Sequence, residues 1–274
     1  MKPIDFDGLF DEKLSQFMEE NKNKHTEKQW EDIIPKLYKK FGDTYVAIVI
    51  CTPKEYYAKM TNEELTQTLC AHLKQDVPTP EFLCAEIENR GEVETLLPLL
   101  FEKDTSAVSY AINLIGDNEK AFDAYFQILT ENLADEDVRS DVTDIFRLHA
   151  DDVKERVIAL YRQGLAKEYM LEILSRVKMR DEEVYEILLA AFQTDENTSV
   201  RAGYLAAYGD ERALPYLLNR IEDRTIGFVT FQELKYAIEA LGGEYDEPRD
   251  FTDDKDYIAV EAASSKMPTQ EPRS

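Results

Sequence analysis

Basic residues are scarce in this chain: 32 lysines and arginines face 56 aspartates and glutamates, for a formal net charge of −24. Such a field repels phosphate backbones, whose binding depends on cationic side chains and counterion release, and it works equally against anionic lipid surfaces. Nucleic acid and membrane are therefore expected non-partners, and a basic protein or peptide is the better electrostatic match. Long apolar runs are missing too. The longest, Tyr45–Cys51, falls far short of the about 20 residues that span a bilayer. The opening MKPIDFDGLFDEKLSQFMEEN lacks the apolar core and cleavage site of a secretory leader. Cysteine is rare: Cys51, Cys70 and Cys84 are never in CxxC spacing and each stands among apolar neighbours. They are expected to be buried free thiols in a reducing compartment, the cytoplasm.

Signatures of chemistry are equally thin. Ten glycines form no GxGxxG or Walker pattern, so nothing points to nucleotide binding. His25, His72 and His149 lie far apart with no metal-ligand spacing, and no nucleophile elbow occurs. The stretch from Asp253 to Asp256 lacks the turn glycine and closing glutamate of a calcium loop. Asn197 to Ser199 matches a glycosylation acceptor, which has no meaning in a cytosolic protein. The expectation is a non-enzymatic chain with no cofactor and no metal.

What the sequence has in abundance is helix punctuation. Thr26 with Gln29, Thr61 with Glu64 and Thr230 with Glu233 match the capping-box spacing, in which side chain and backbone satisfy one another's first-turn amides. Thr52-Pro53 and Thr79-Pro80 place proline at a first helical position, where its missing N–H costs nothing. Apolar residues then recur at three- and four-residue steps, as in Trp30, Ile33, Ile34, Leu37 and Tyr38, or Leu65, Leu69 and Leu73. Alternation with period two is nearly absent. The β-rich Tyr45–Cys51 run, with no second strand to pair with, is read as a short buried helix. The predicted fold class is all-α.

From about residue 104 the helices fall into a beat of about thirty residues. Val138-Arg139 and Val200-Arg201 repeat one dipeptide 62 residues apart, Tyr169-Met170 opens a helix midway, and Val108 opens another before them. Second helices follow in step over 120–132, 152–163, 182–193 and 211–222, and a last first-helix over 231–241 ends in Gly242-Gly243. Two-helix units of this length cannot cover their own apolar stripes, so they stack into an α-solenoid; the alternative is an irregular helical bundle. Within 199–223, Ala202, Gly203, Ala206 and Ala207 are expected to let helices approach closely. Gly209 is expected to end one helix in the left-handed conformation before Asp210 starts the next.

This stretch resembles the HEAT repeat, in the variety named for phycocyanobilin-lyase subunits. The likeness lies in Asp195, Val200-Arg201, Ala202, Leu205-Ala206-Ala207, Gly209-Asp210, Ala213-Leu214-Pro215, Leu217-Leu218 and Asp223, and 231–243 looks like half of a further unit. The resemblance covers a HEAT-like array (104–243); the residues before it form a helical N-terminal region (1–103), and the composition after it predicts an acidic, polar, mostly flexible tail (244–274), with a short stretch docked through Tyr257, Ile258 and Val260 or, alternatively, a tail that occupies the groove. The resemblance also implies that Arg139 and Arg201 join acids such as Asp137 and Asp195 in a structural ladder between repeats, rather than facing a ligand.

A stacked array presents a concave face suited to holding a protein or peptide, which makes a scaffold or adaptor the expected function. Lys120, Asp123, Gln127, Glu155, Arg162, Tyr216, Asn219 and Arg220, on the outer sides of second helices, are the expected binding residues. The resemblance also implies an alternative, a lyase-like or chromophore-handling factor, which would need a pocket of convergent polar groups. A DNA-repair glycosylase on the same frame would need a basic groove, which the charge opposes. Asp137, Asp141 and Asp144 share one helix face, continued by Asp151 and Asp152; a solvated face accounts for them more simply than a cation or basic-peptide site.

Overall fold

The computed structural model describes residues 2–22, 24–131, 133–194 and 196–264, and every regular element among them is helical. The capping boxes at Thr26/Gln29 and Thr61/Glu64 form as the spacing requires, and Thr52 with Glu55 makes another. Thr230 does not cap: helix 228–240 begins earlier, on Gly227, so Thr230 lies inside its first turn. Pro80 is the residue before its helix rather than the first within it.

Tyr45–Cys51 is not a buried helix. It is a turn closed by one bridge, Val46 N–H to the Cys51 carbonyl at 3.0 Å, with Tyr45, Ile48 and Ile50 exposed. Pro53 supplies the reason, because it forces Thr52 into extended backbone and prevents any helix from running on into 53–58.

The chain divides into two compact units, Met1–Val142 and Thr143–Ser274. The first contains α1 (Phe6–Asn21), α2 (Glu27–Phe41), α3 (Pro53–Ala58), α4 (Asn62–Lys74), α5 (Glu81–Arg90), α6 (Thr105–Ile115), α7 (Phe122–Thr130) and the start of α8 (Glu136–Leu148). Its core joins Phe6 and Phe10 of α1 to Tyr57, Leu65, Leu69, Phe82 and Leu83. Aromatic rings interlock there: Tyr38 stacks on Phe82 at 4.7 Å, and Phe10 meets Tyr38 edge-on at 5.0 Å. Arg90, at the end of α5, donates to the carbonyls of Ala58 (3.2 Å) and Met60 (2.7 Å), satisfying acceptors that α3 leaves open at its C-terminus.

The second unit holds the rest of α8, then α9 (Ala150–Arg162), α10 (Lys167–Leu174), α11 (Glu182–Phe192), α12 (Thr198–Tyr208), α13 (Leu214–Ile221), α14 (Phe228–Ala240) and α15 (Lys255–Ser264). Helix α12 packs against α10, α11 and α14, α10 also against α9, and α14 also against α13. Gly209 ends α12 at φ 77°, and Asp210 caps the following turn by accepting from Arg212 N–H, as the sequence predicts.

The neighbouring small residues behave otherwise. Only Ala202 is buried, whereas Gly203 and Ala207 face solvent and a Cβ at Gly203 would meet nothing within 4 Å. Among the described residues, no neighbouring helix packs on Gly203. The dipeptide register is also broken: Val138 is 1% exposed and Val200 49%. Both hold the third position of their helices, but α8 buries Val138, Val142 and Phe146 while α12 buries Arg201, Ala202 and Leu205. The buried face is offset by one residue, about 100° around a helix.

Residues 244–264 dock on α14. Tyr245 is buried, Arg249 lies over the Phe231 ring at 4.8 Å, and Phe251 and Tyr257 pack edge-on to Phe228. Ile258 and Val260, expected as docking residues, are half exposed. The closing residues 265–274 lie outside those described.

Candidate functional site

The apolar stripe of α2 is only partly covered. Trp30 and Phe41 at its ends are buried, but Ile33, Ile34, Leu37 and Tyr38 between them are half-buried and Pro35 is exposed. A helix with a stripe wider than its neighbours can cover leaves grooves along its flanks. Pro35, lacking an N–H, also removes the donor that would bond the Glu31 carbonyl.

One groove, of about 230 Å³, runs between α1 and α2 and is lined by Phe10, Lys13, Leu14, Phe17, Leu37, Lys40, Phe41 and Thr44. The other, about 590 Å³, lies on the opposite flank of α2 and is lined by Phe10, Ile34, Pro35, Tyr38, Lys39, Lys54, Glu81, Phe82 and Ala85. Phe10 lines both.

Electrostatically, this face departs from the rest of the chain. Lys13, Lys39, Lys40 and Lys54 stand exposed around it against one lining acid, Glu81; Lys54 pairs with Asp43 at 2.8 Å, and among the described residues the other three make no ion pair. Lys13 Nζ lies 5.1 Å over the Phe41 ring. Tyr38 donates to Asp7 Oδ1 at 2.5 Å, and burial, followed by that hydrogen bond, pushes its hydroxyl far above the ordinary tyrosine range. Tyr38 is thus a neutral structural donor.

Beside the grooves, the 45–51 turn carries Tyr45, Ile48 and Ile50 outward. Ile50 adopts φ 56°, a left-handed backbone that a β-branched residue reaches only under strain.

The residues singled out by sequence lie elsewhere, and none of them lines these grooves. In the first unit Lys120 pairs with Glu94 at 2.6 Å from a 3₁₀ turn, Asp123 is exposed, and Gln127 bonds Glu131 at 3.0 Å. In the second, Glu155, Tyr216 and Asn219 are exposed and Arg162 pairs with Glu183. Arg220, expected exposed, is half-buried against Asp223 at 2.8 Å.

Arg139 pairs with Glu136 of its own helix at 3.0 Å rather than with Asp137, which is exposed. Arg201 is buried; it reaches Glu168 of α10 at 2.5 Å and donates to the Ala191 carbonyl at 2.9 Å. The expected partner Asp195 lies outside the described residues. Other ion pairs in the second unit also join helices about one hairpin apart in sequence: Lys154 with Asp181 at 2.5 Å and Arg212 with Glu182 at 2.9 Å.

Among the described residues, no group of three or more His, Cys, Asp or Glu side chains is placed to hold a metal ion. Asp144 pairs with Arg147 at 2.6 Å, Asp151 accepts from the Lys178 and Met179 amides, and Asp152 meets His149. All three cysteines are free, but only Cys51 is buried. Cys70 and Cys84 are half-buried, and burial raises both thiols, Cys84 to about 11, away from thiolate reactivity. No helix among the described residues is long and apolar enough to cross a membrane.

No protein-family model matches the chain, and neither a curated protein nor a solved structure matches it significantly.

The groove face has a sequence signal in charge rather than in periodicity. Lysines are clustered between Lys36 and Lys59 on an otherwise acidic chain, immediately beside the chain's longest apolar run.

Proposed function

We propose that this chain is a non-enzymatic scaffold or adaptor that binds another protein or peptide. It is built as a HEAT-like α-solenoid with a helical N-terminal region and works in the cytoplasm. The observation that carries the binding function is the half-covered apolar stripe of α2, exposed on both flanks and bordered by an apolar turn. Apolar surface left open beside ordered polar groups is the usual mark of a protein-binding site. The solenoid reading rests on the lateral neighbours α10, α12 and α14 and on the cross-helix ion pairs of Lys154, Arg201 and Arg212. The Val-Arg repeat does not support it, because Val138 is buried and Val200 exposed.

A photo-crosslinking residue placed at Leu37, in the groove, and separately at Tyr216, on a second helix, tests the function in the native cell. A stoichiometric protein adduct at either position is expected. Silence at both, or a coloured preparation carrying a bound chromophore, sinks the scaffold reading.

A further inference from the structure

We propose that the grooves flanking α2, together with the 45–51 turn, form one docking face for an acidic amphipathic helix of a partner protein. This rests on the protein-binding reading above and names the partner's chemistry, which is the reverse of what the net charge suggests.

Charge supplies the first argument. On a chain with 56 acids and 32 bases, the two grooves are lined by four lysines, Lys13, Lys39, Lys40 and Lys54, and one acid, Glu81. Lys13, Lys39 and Lys40 rim the apolar floor with no ion pair among the described residues, so their charge stays open to a partner. The helix dipole favours lysines in the last turn of α2, which accounts for Lys39 and Lys40. It does not bring Lys13 from α1 to the same rim. Charges beyond about 10 Å are largely screened at moderate salt, so an approaching helix feels this rim more than the distant acids.

Shape supplies the second. Leu14, Phe17 and Leu37 line the seam of a helical hairpin, the geometry into which a third helix lays an apolar face with anchors one turn apart. The 45–51 turn lies in the chain between Thr44, which lines the first groove, and Lys54, which lines the second, and within it Ile48 and Ile50 are 73% and 77% exposed. Glycine would hold φ 56° without strain, yet Ile50 carries a large apolar side chain there and points it at solvent. Outward apolar side chains on a strained, hydrogen-bonded turn suit a partner's apolar stripe.

Trp30, the chain's one tryptophan, packs edge-on to groove residue Phe17 at 6.1 Å and so reports on occupancy in the intact protein. The probe is a synthetic helical peptide with leucine at i, i+3, i+4 and i+7 and glutamate elsewhere, compared with the same peptide carrying lysine for every glutamate. The glutamate peptide is expected to shift Trp30 emission saturably and to bind about tenfold more tightly than the lysine peptide, less so as salt rises. The double variant Lys13→Glu/Lys40→Glu should reverse that order. Ile50→Gly should raise the melting temperature by relieving strain while weakening the glutamate peptide severalfold, an outcome that misfolding cannot mimic.

Equal binding of both peptides overturns the inference. So does a preference for phosphatidylserine vesicles over the glutamate peptide, or a concentration-dependent dimer in sedimentation that Lys13→Glu/Lys40→Glu abolishes. If this face binds nothing while the Tyr216 crosslinker captures a partner, the docking face is wrong and the scaffold stands.

Discussion

Gly203 and Gly209 sit six residues apart and ask opposite things of a substitution. Gly203 is helical and exposed, with open space where a Cβ would go, so Gly203→Ala removes backbone entropy from the unfolded chain at no steric cost. It should stabilise by up to about 1 kcal/mol. Gly209 stands at φ 77°, and Gly209→Val should destabilise by about 1–3 kcal/mol despite the equally open space around it. Urea titration of both variants decides the matter; a stabilised Gly209→Val would mean the hairpin does not turn there. Gly209 was legible because a left-handed helix end and an Asp cap are local events within a few residues. The exposure of Gly203 was not, since it depends on which side of α12 its neighbours occupy.

At the scale of elements, arginines do the work of joining one helix to the end of another. Arg249 donates to the Asp223 carbonyl at 2.9 Å and to the Ile221 carbonyl, closing the C-terminus of α13, while its guanidinium covers Phe231. A planar fork reaches both carbonyls where a lysine reaches one. Arg249→Ala should therefore cost about 1–3 kcal/mol and loosen 245–264, and Arg249→Lys should restore little of it. Hydrogen exchange of the Asp256 and Tyr257 amides, which bond to Asp254, measures the loosening; unchanged protection would contradict this docking. Helix starts and the alternation of first and second helices after residue 104 could be read from caps and spacing. The docking of 245–264 could not, because an acidic, proline-containing segment reads as solvated until its aromatic residues find Phe228 and Phe231.

For the whole molecule, the net charge of −24 opposes compaction at neutral pH, and protonation or salt relieves it. Glu172, whose carboxyl is pushed above 4.5 by burial, acts in the same direction, since its cost to the fold fades as pH falls towards that value. Asp181 and Asp210 act in the opposite direction. Hydrogen bonds from Lys154 and Arg212 hold them below the ordinary 3.8, so their contribution is complete above 3.8 and is lost as pH falls through the lower folded values. The melting temperature should rise from pH 7 to about 5, rise likewise with salt at pH 7, and fall steeply below about 3.8. A scan that falls monotonically from pH 7 would show that charge repulsion does not limit this fold.

The sequence by itself determined that the fold class is all-α, where several helices begin, and the beat of about thirty residues after residue 104, because capping and periodicity act over a few neighbouring residues. Tertiary structure alone decided which stripes are covered. Val138 and Val200 share a sequence and a helical position but not a buried face, and the stripe of α2 has a sound amphipathic pattern that its neighbours leave half open. Burial depends on what residues about one hairpin away place alongside, and that information is not carried by the segment being buried.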